Sequence, residues 1–176
     1  GVQATMFRSL DSAVPRLPFA DRNAAGEALA ARLLSRPVAD EAPLVLALPR
    51  GGVPVALAVA RALHAPLDLL LVRKIGAPGQ PELAVAALVD GAPPEVVADR
   101  TMCERLGVDD EYLGAGVRAA IEENERRRHL YLGGRAPVAV AGRSVIVVDD
   151  GVATGTTMRA ALQGLRRQRP KRLVVA

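Results

Sequence analysis

Cysteine, histidine and aromatic side chains are scarce: one Cys, two His, two Phe, two Tyr and no Trp in 176 residues. A lone thiol, Cys103, excludes an internal disulfide framework and any multi-cysteine metal site, and it suits a reducing, cytoplasmic setting. With no histidine nearby it reads as a buried small hydrophobe. His64 and His129 stand far apart on expected helices, as structural or solvent-facing residues. So few aromatics, and no recognition helix, leave little to stack on bases, and nucleic acid is not the favoured partner. Long hydrophobic runs are also missing: Val53 to Ala60 stops at Arg61, far short of the ~20 apolar residues of a membrane span. The start, Gly1 to Met6, has no basic stretch leading into an apolar one, so no signal peptide is expected.

What is present is ordinary globular material, 50% apolar and 24% charged, enough for one domain with a real core. Lys and Arg number 23 against 19 Asp and Glu, a net charge of +4 at pH 7. That small excess fits the handling of phosphorylated small molecules. Residues 1–20, with Phe7, Pro15, Pro18 and Phe19, read as an irregular arm, and residues 21–176 as the folded domain.

Asp21 can cap a helix that places Ala25, Leu29 and Leu33 on one face. Leu44 to Leu48 is a short apolar run between prolines, a strand buried on both sides. Arg50-Gly51-Gly52 turns the chain into an alanine-rich helix, Val53 to His64, and Leu67 to Val72 gives a second buried strand ending in Arg73-Lys74. Strand, helix, strand at this spacing predicts a parallel sheet. Ile75 to Pro81 holds Gly76, Pro78, Gly79 and Pro81 and reads as a mobile loop, followed by a strand over Ala84 to Val89 and a turn over Asp90 to Pro94. Asp110 to Leu132 reads as a long helix on which Glu122 and Glu123 pair with Arg126 and Arg127. Ser144 to Val148 is the clearest strand, a helix is expected from Met158 to Gln168, and Arg172 to Val175 is a last strand.

Ligands of an open parallel sheet collect beyond the carboxyl ends of its strands. Behind Val148 stand two carboxylates, Asp149 and Asp150, and then Thr154, Gly155, Thr156 and Thr157 leading into a helix. Backbone amides at a helix amino end favour a phosphate, and threonine hydroxyls add donors. Two carboxylates cannot share that phosphate without repulsion; they suit hydroxyl donors or a nearby metal. A sugar phosphate satisfies both demands. A Walker loop would need Lys where Thr156 stands, and no Gly-x-Gly-x-x-Gly follows a strand.

The run Val145-Ile146-Val147-Val148-Asp149-Asp150-Gly151-Val152-Ala153-Thr154-Gly155-Thr156-Thr157 resembles the binding signature of the type I phosphoribosyltransferases. The resemblance implies an α/β fold: a single domain with a mainly parallel, twisted sheet and helices on both faces. It further implies structure beyond the last strand, so that the C-terminal part reads as truncated. It assigns Asp149 and Asp150 to the ribose hydroxyls of 5-phosphoribosyl 1-pyrophosphate and Ala153, Thr154, Gly155, Thr156 and Thr157 to its 5-phosphate. Arg50, Gly51 and Gly52 stand where the family places its pyrophosphate loop, and Arg73 and Lys74 where it places cations for the leaving group.

The implied reaction moves the phosphoribosyl group to a nitrogenous base or other amine, with Mg²⁺ chelated by the substrate and touching Asp149 and Asp150 only indirectly. The implied catalytic set is Asp149, Asp150, Lys74 and Glu82, with residues 75–91 closing as a lid. Members acting on 6-oxopurines carry Asp where this chain has Ala153, which disfavours that acceptor, while the Arg-Lys-x-Gly element resembles adenine-type members. A homodimer is compatible with the resemblance. The alternative is a non-catalytic binder of the same donor that regulates RNA or DNA.

Overall fold

The structure, a computed structural model, describes residues 4–5, 22–149 and 155–176. The chain divides into two compact units: residues 1–70, 140–153 and 169–176 form the first, 71–139 and 154–168 the second.

The first unit is built on a parallel sheet of β1 (Ala4–Thr5), β2 (Leu44–Ala47), β3 (Leu67–Leu69), β7 (Ser144–Val148) and β8 (Arg172–Val175), in the order β1-β8-β7-β2-β3. Leu44 pairs with Val145 and Ala47 with Val148, so β2 and β7 run in register through the centre. Every residue of both is buried, which is why, Ser144 apart, they read as apolar runs. Helix α2 (Gly52–Leu63) packs on β2, β3 and β7, and α1 (Arg22–Leu34) lies against α2. Leu33 and Ala30 give α1 its buried face, and a Cβ on Gly26 would come 2.7 Å from the Ala58 Cβ, so that glycine lets the helices touch. His64 follows α2 as a left-handed cap at φ 51°. The expected Asp21 cap lies outside the described residues, as does most of the amino-terminal arm, but Ala4–Thr5 is an edge strand on β8.

A charged cluster stands where β2 and β8 begin. Glu41, just before β2, accepts bonds from Arg172 Nε and Nη2 at 3.1 and 3.0 Å and from the hydroxyl of Ser144. The Ser144 hydroxyl first, then Arg172, holds the Glu41 carboxyl below its usual range.

The second unit corrects two expectations. Leu67 to Val72 is not one strand: β3 ends at Leu69, and Val72 opens β4 (Val72–Ala77) in a separate antiparallel sheet with β5 (Gln80–Val89) and β6 (Glu95–Ala98), order β4-β5-β6. The segment read as a mobile loop is a hairpin whose only turn residues are Pro78 and Gly79, with Ala77 opposite Gln80. Gly79 takes the φ of +70° that a Pro-Gly turn demands at its second position. The register slips at Gly76, and β6 pairs only with Ala86 to Val89, so Pro81 removes no donor that the ladder needs. Val85 to Val89 are buried.

Two further helices lie in this unit, the short α3 (Arg100–Arg105), which sequence reading missed, and α4 (Asp110–Leu132), whose bounds match the expectation. Asp99 caps α3 by accepting from the Met102 amide at 3.0 Å. Ile75, Ala77, Val85 and Ala86 form a core with Met102, Cys103, Leu113 and Val117, so Cys103 is indeed a packing residue. Helix α5 (Gly155–Arg167) packs on β4, β5 and β6, and a Cβ on its Gly164 would meet the Val89 side chain at 2.6 Å.

Candidate functional site

In the first unit the carboxyl ends of β2 and β7 bring two of the expected elements together. After Ala47, the Leu48 amide donates to the Val148 carbonyl at 3.0 Å and the chain turns through Pro49, Arg50 and Gly51 into α2; the Pro49–Arg50 peptide is cis. A Cβ on Gly52 would stand 2.7 Å from the Val148 carbonyl oxygen and 3.3 Å from the Asp149 Cα. Gly52 is therefore required by close approach of the turn to the strand that carries Asp149. Its amide is engaged, donating to the Leu48 carbonyl at 3.0 Å, so of this turn's two glycines Gly51 is the one suited to offering an amide to an anion. Arg50 is exposed beside it and Asp149 is half-buried. Asp150, Ala153 and Thr154 lie outside the described residues.

The second unit holds the other half of the expected chemistry and separates the Arg73-Lys74 pair. Successive side chains of a strand point to opposite faces. Arg73 lies 3.8 Å from Glu123 of α4, on the face where Ile75 packs under Gly116 of the same helix. Lys74 points the other way and lines a groove with Thr156 and Thr157 of α5. This groove, about 290 Å³, is completed by Ala84 to Ala87 of β5, Val97 to Asp99 around the end of β6, and Arg159, Ala160 and Gln163 of α5. Helix α5 begins at Gly155, three residues earlier than expected, so Thr156 and Thr157 stand in its first turn, where the backbone amides of a helix amino end and the helix dipole favour an anion. A lysine ammonium and two hydroxyls at one helix amino end suit a phosphoryl group in charge and donor count.

Glu82 is exposed near the start of β5 and is not among the residues lining the groove. On α4, Glu123 alone takes both arginines, Arg126 at 2.9 and 2.7 Å and Arg127 at 3.2 Å, in place of the two-carboxylate ladder expected. The Arg126 bond, with help from Arg127 and Arg73, lowers the Glu123 carboxyl to about 2. Sequence reading missed Arg159, Gln163 and Asp99 as lining residues. The signal was there: Thr156, Arg159, Ala160 and Gln163 recur at the spacing of one helical face.

The chain is 42% identical over 158 residues to Rv0571c of Mycobacterium tuberculosis (strain ATCC 25618 / H37Rv), a protein named provisionally as a phosphoribosyl transferase. The aligned part is 90% of this chain and 35% of that protein, so the chain spans about a third of the curated relative's length. The crystal structure of TT1426 from Thermus thermophilus is 43% identical, with a TM-score of 0.73, covering 90% of this chain and 74% of that one. The phosphoribosyl transferase domain family matches residues 21–176, and with these residues in these places the chain belongs to that family.

Proposed function

We propose that the protein binds 5-phosphoribosyl 1-pyrophosphate with Mg²⁺ and transfers the phosphoribosyl group to a nitrogenous acceptor in the cytoplasm, releasing pyrophosphate. The observation that carries this reading is the meeting of Lys74 with Thr156 and Thr157, far apart in sequence, along one groove at the amino end of α5.

In this reading Thr156 and Thr157, with Ala153, Thr154 and Gly155, hold the 5-phosphate, and Asp149 and Asp150 accept from the ribose hydroxyls. Lys74, Arg50 and the Gly51 amide offset the charge that builds on the departing pyrophosphate oxygens. Arg73, turned toward Glu123, is left out of that set. The acceptor nitrogen bonds to C1 as the C1–oxygen bond breaks and its electron pair leaves with pyrophosphate. Glu82 is the carboxylate offered for the nitrogen's proton.

Among the described residues no three His, Cys, Asp or Glu side chains gather as a metal cage. Mg²⁺ keeps several of its waters and is commonly held by one or two carboxylates together with substrate oxygens. Asp149 and Asp150 would be those carboxylates, acting through water or substrate, and the ion would supply charge neutralisation at the leaving group.

Titration of the chain with the donor and Mg²⁺, followed by pyrophosphate release across a panel of bases, tests the reading. Saturable donor binding and release with at least one base are expected, and Asp149→Asn weakens both. Absence of donor binding overturns it. Donor binding without release from any base, together with salt-sensitive RNA or DNA binding, turns the reading into a regulator's.

A further inference from the structure

Helix α4 gathers positive charge on the face of the antiparallel sheet opposite the groove. Glu123 is one carboxylate among three guanidinium groups, bonded to Arg126 and Arg127 and 3.8 Å from Arg73, which leaves two positive charges uncompensated. Glu122 and Glu125 stand exposed on the same helix and, among the described residues, pair with none of these arginines. Arg127 commits only its Nε and keeps both terminal nitrogens, and Arg126 keeps its Nη1. Both side chains are open to water, Arg126 at 60% exposure and Arg127 at 38%. Paired guanidinium N–H groups suit phosphoryl oxygens.

The next turn of the helix adds an aromatic face. Residues three and four apart are neighbours on a helix, so Leu130 adjoins Arg126 and Arg127, and Tyr131 adjoins Arg127. Helical side chains lean toward the amino end, which carries the Tyr131 ring back over the arginines. Glu123 first, and the Tyr131 oxygen to a smaller degree, hold the Arg126 guanidinium above its ordinary range, in keeping with a phenol close by. Tyr131 is 51% exposed and Leu130 67%, whereas Tyr112 is half-buried and its hydroxyl donates to the Gly76 carbonyl at 2.7 Å. From Glu123 to Tyr131 the helix rises ~12 Å, the span of a base, a sugar and two phosphoryl groups. Arg128 turns the other way, onto Asp90 at the end of β5, and fastens this part of α4 to the sheet.

We propose that this stripe of α4 is a second ligand site, one that takes a nucleoside diphosphate. The phosphoryl groups meet Arg126 and Arg127, with the charge of Arg73 added, and the base lies on Tyr131 and Leu130. Stacking accepts any base, so the diphosphate and the ring define the ligand rather than the identity of the base. One tyrosine on a stripe ~12 Å long holds one nucleotide, which favours a free nucleotide over a strand of RNA. The site stands on the other face of the sheet from Lys74 and does not depend on the donor reading.

ADP is the probe, titrated calorimetrically into the unaltered chain and its variants, and saturable binding is expected. Arg127→Ala should weaken it about tenfold or more, the worth of hydrogen bonds to a charged group. Tyr131→Ala should weaken it about fivefold or more, while Tyr131→Phe keeps the ring and stays within about twofold. Glu123→Gln frees the arginines and should tighten ADP about two- to fivefold, an outcome that a merely structural cluster would not give. Lys74→Ala alters a distant face and should leave ADP affinity within about twofold. Arg127 and Tyr131 are surface positions, so their variants should keep the urea midpoint. No saturable binding, no effect of Tyr131→Ala, weaker binding by Glu123→Gln, or binding lost with Lys74→Ala but kept with Arg127→Ala each overturns the proposal. Binding of a single-stranded RNA oligonucleotide without binding of ADP overturns it as well.

Discussion

The central strands of the parallel sheet and the first strand of the antiparallel one place charge in opposite ways. Along β2 and β7 of the parallel sheet every side chain is apolar except Ser144, and ionisable groups stand at the ends: Glu41 and Arg172 where strands begin, Asp149 where β7 stops. The antiparallel sheet instead carries Arg73 and Lys74 in mid-strand, one toward α4 and the other toward the α5 groove. Parallel strands buried on both faces leave room for chemistry only beyond their termini. A three-stranded antiparallel sheet with a helix on each face can give each face its own surroundings: Arg73 meets Glu123 on one, and on the other Lys74 lines the groove with Thr156 and Thr157 where we propose that a ligand binds.

Breaking an ion pair in each unit is the sharpest way to test that contrast. In the second unit Arg128 Nε donates to Asp90 Oδ2 at 2.5 Å, with side chains only 7% and 12% exposed. The Asp90 carbonyl also accepts from Gln168 at the end of α5, 3.2 Å away. Arg128→Ala strands a buried carboxylate and should cost about 3–5 kcal/mol, read from the urea midpoint. The double variant Asp90→Leu with Arg128→Met should recover most of it. Arg172→Ala in the first unit, where Glu41 keeps Ser144 and Lys171 beside it, should shift the midpoint less. Equal losses would mean that the two units depend on buried charge alike.

The two faces of β4 come next. Lys74→Ala should weaken donor binding by about 1.5–3 kcal/mol, the worth of a hydrogen bond to a charged group, while Arg73→Ala should leave calorimetric affinity near that of the parent. Similar losses from both would put the two side chains on one ligand and contradict the face assignment.

Glycines separate the sheets more gently. Gly52→Ala forces a methyl into the Val148 carbonyl of a packed parallel pair and should cost about 1–3 kcal/mol. Gly79→Ala meets open space and bears only the strain of a positive φ, about 1–2 kcal/mol. The first variant should also disturb donor binding, because the displaced backbone leads straight into Asp149; the second should not.

The same contrast explains what could be read in advance. Ser144 to Val148 and Arg172 to Val175 announced themselves because a strand covered on both faces is one apolar run, and Asp110 to Leu132 because its caps and polar face are long and regular. The hairpin reads as a loop in sequence because Gly76, Pro78, Gly79 and Pro81 are breakers in general, although here two make the turn and two sit where the register slips. Leu67 to Val72 looked continuous because nothing local marks the residue at which a chain leaves one sheet for another. In the site, Thr156 and Thr157 were legible from composition and position, and Lys74 from the motif. That Arg73 faces the other way followed from strand alternation once β4 was known to be a strand, and Arg159 and Gln163 needed the helix start at Gly155.

The smallest expected effect concerns the structural face of the antiparallel sheet. Glu123, held mainly by Arg126 and then by Arg127 and Arg73, has its carboxyl lowered from an ordinary 4.5 to about 2. A carboxylate depressed in the folded state lends stability that is fully present above pH 4.5 and fades as pH falls toward 2. The side-chain carbon of Glu123, followed by NMR, should therefore titrate near pH 2. Arg126→Ala should move that midpoint up further than Arg127→Ala, and Arg73→Ala least. Salt should raise it too, because these arginines are half-exposed and screened. Were Arg73→Ala to move it furthest, the Arg73–Glu123 contact would be the dominant one, and the structural role given to that face of β4 would rest on Arg73 itself rather than on the arginines of α4.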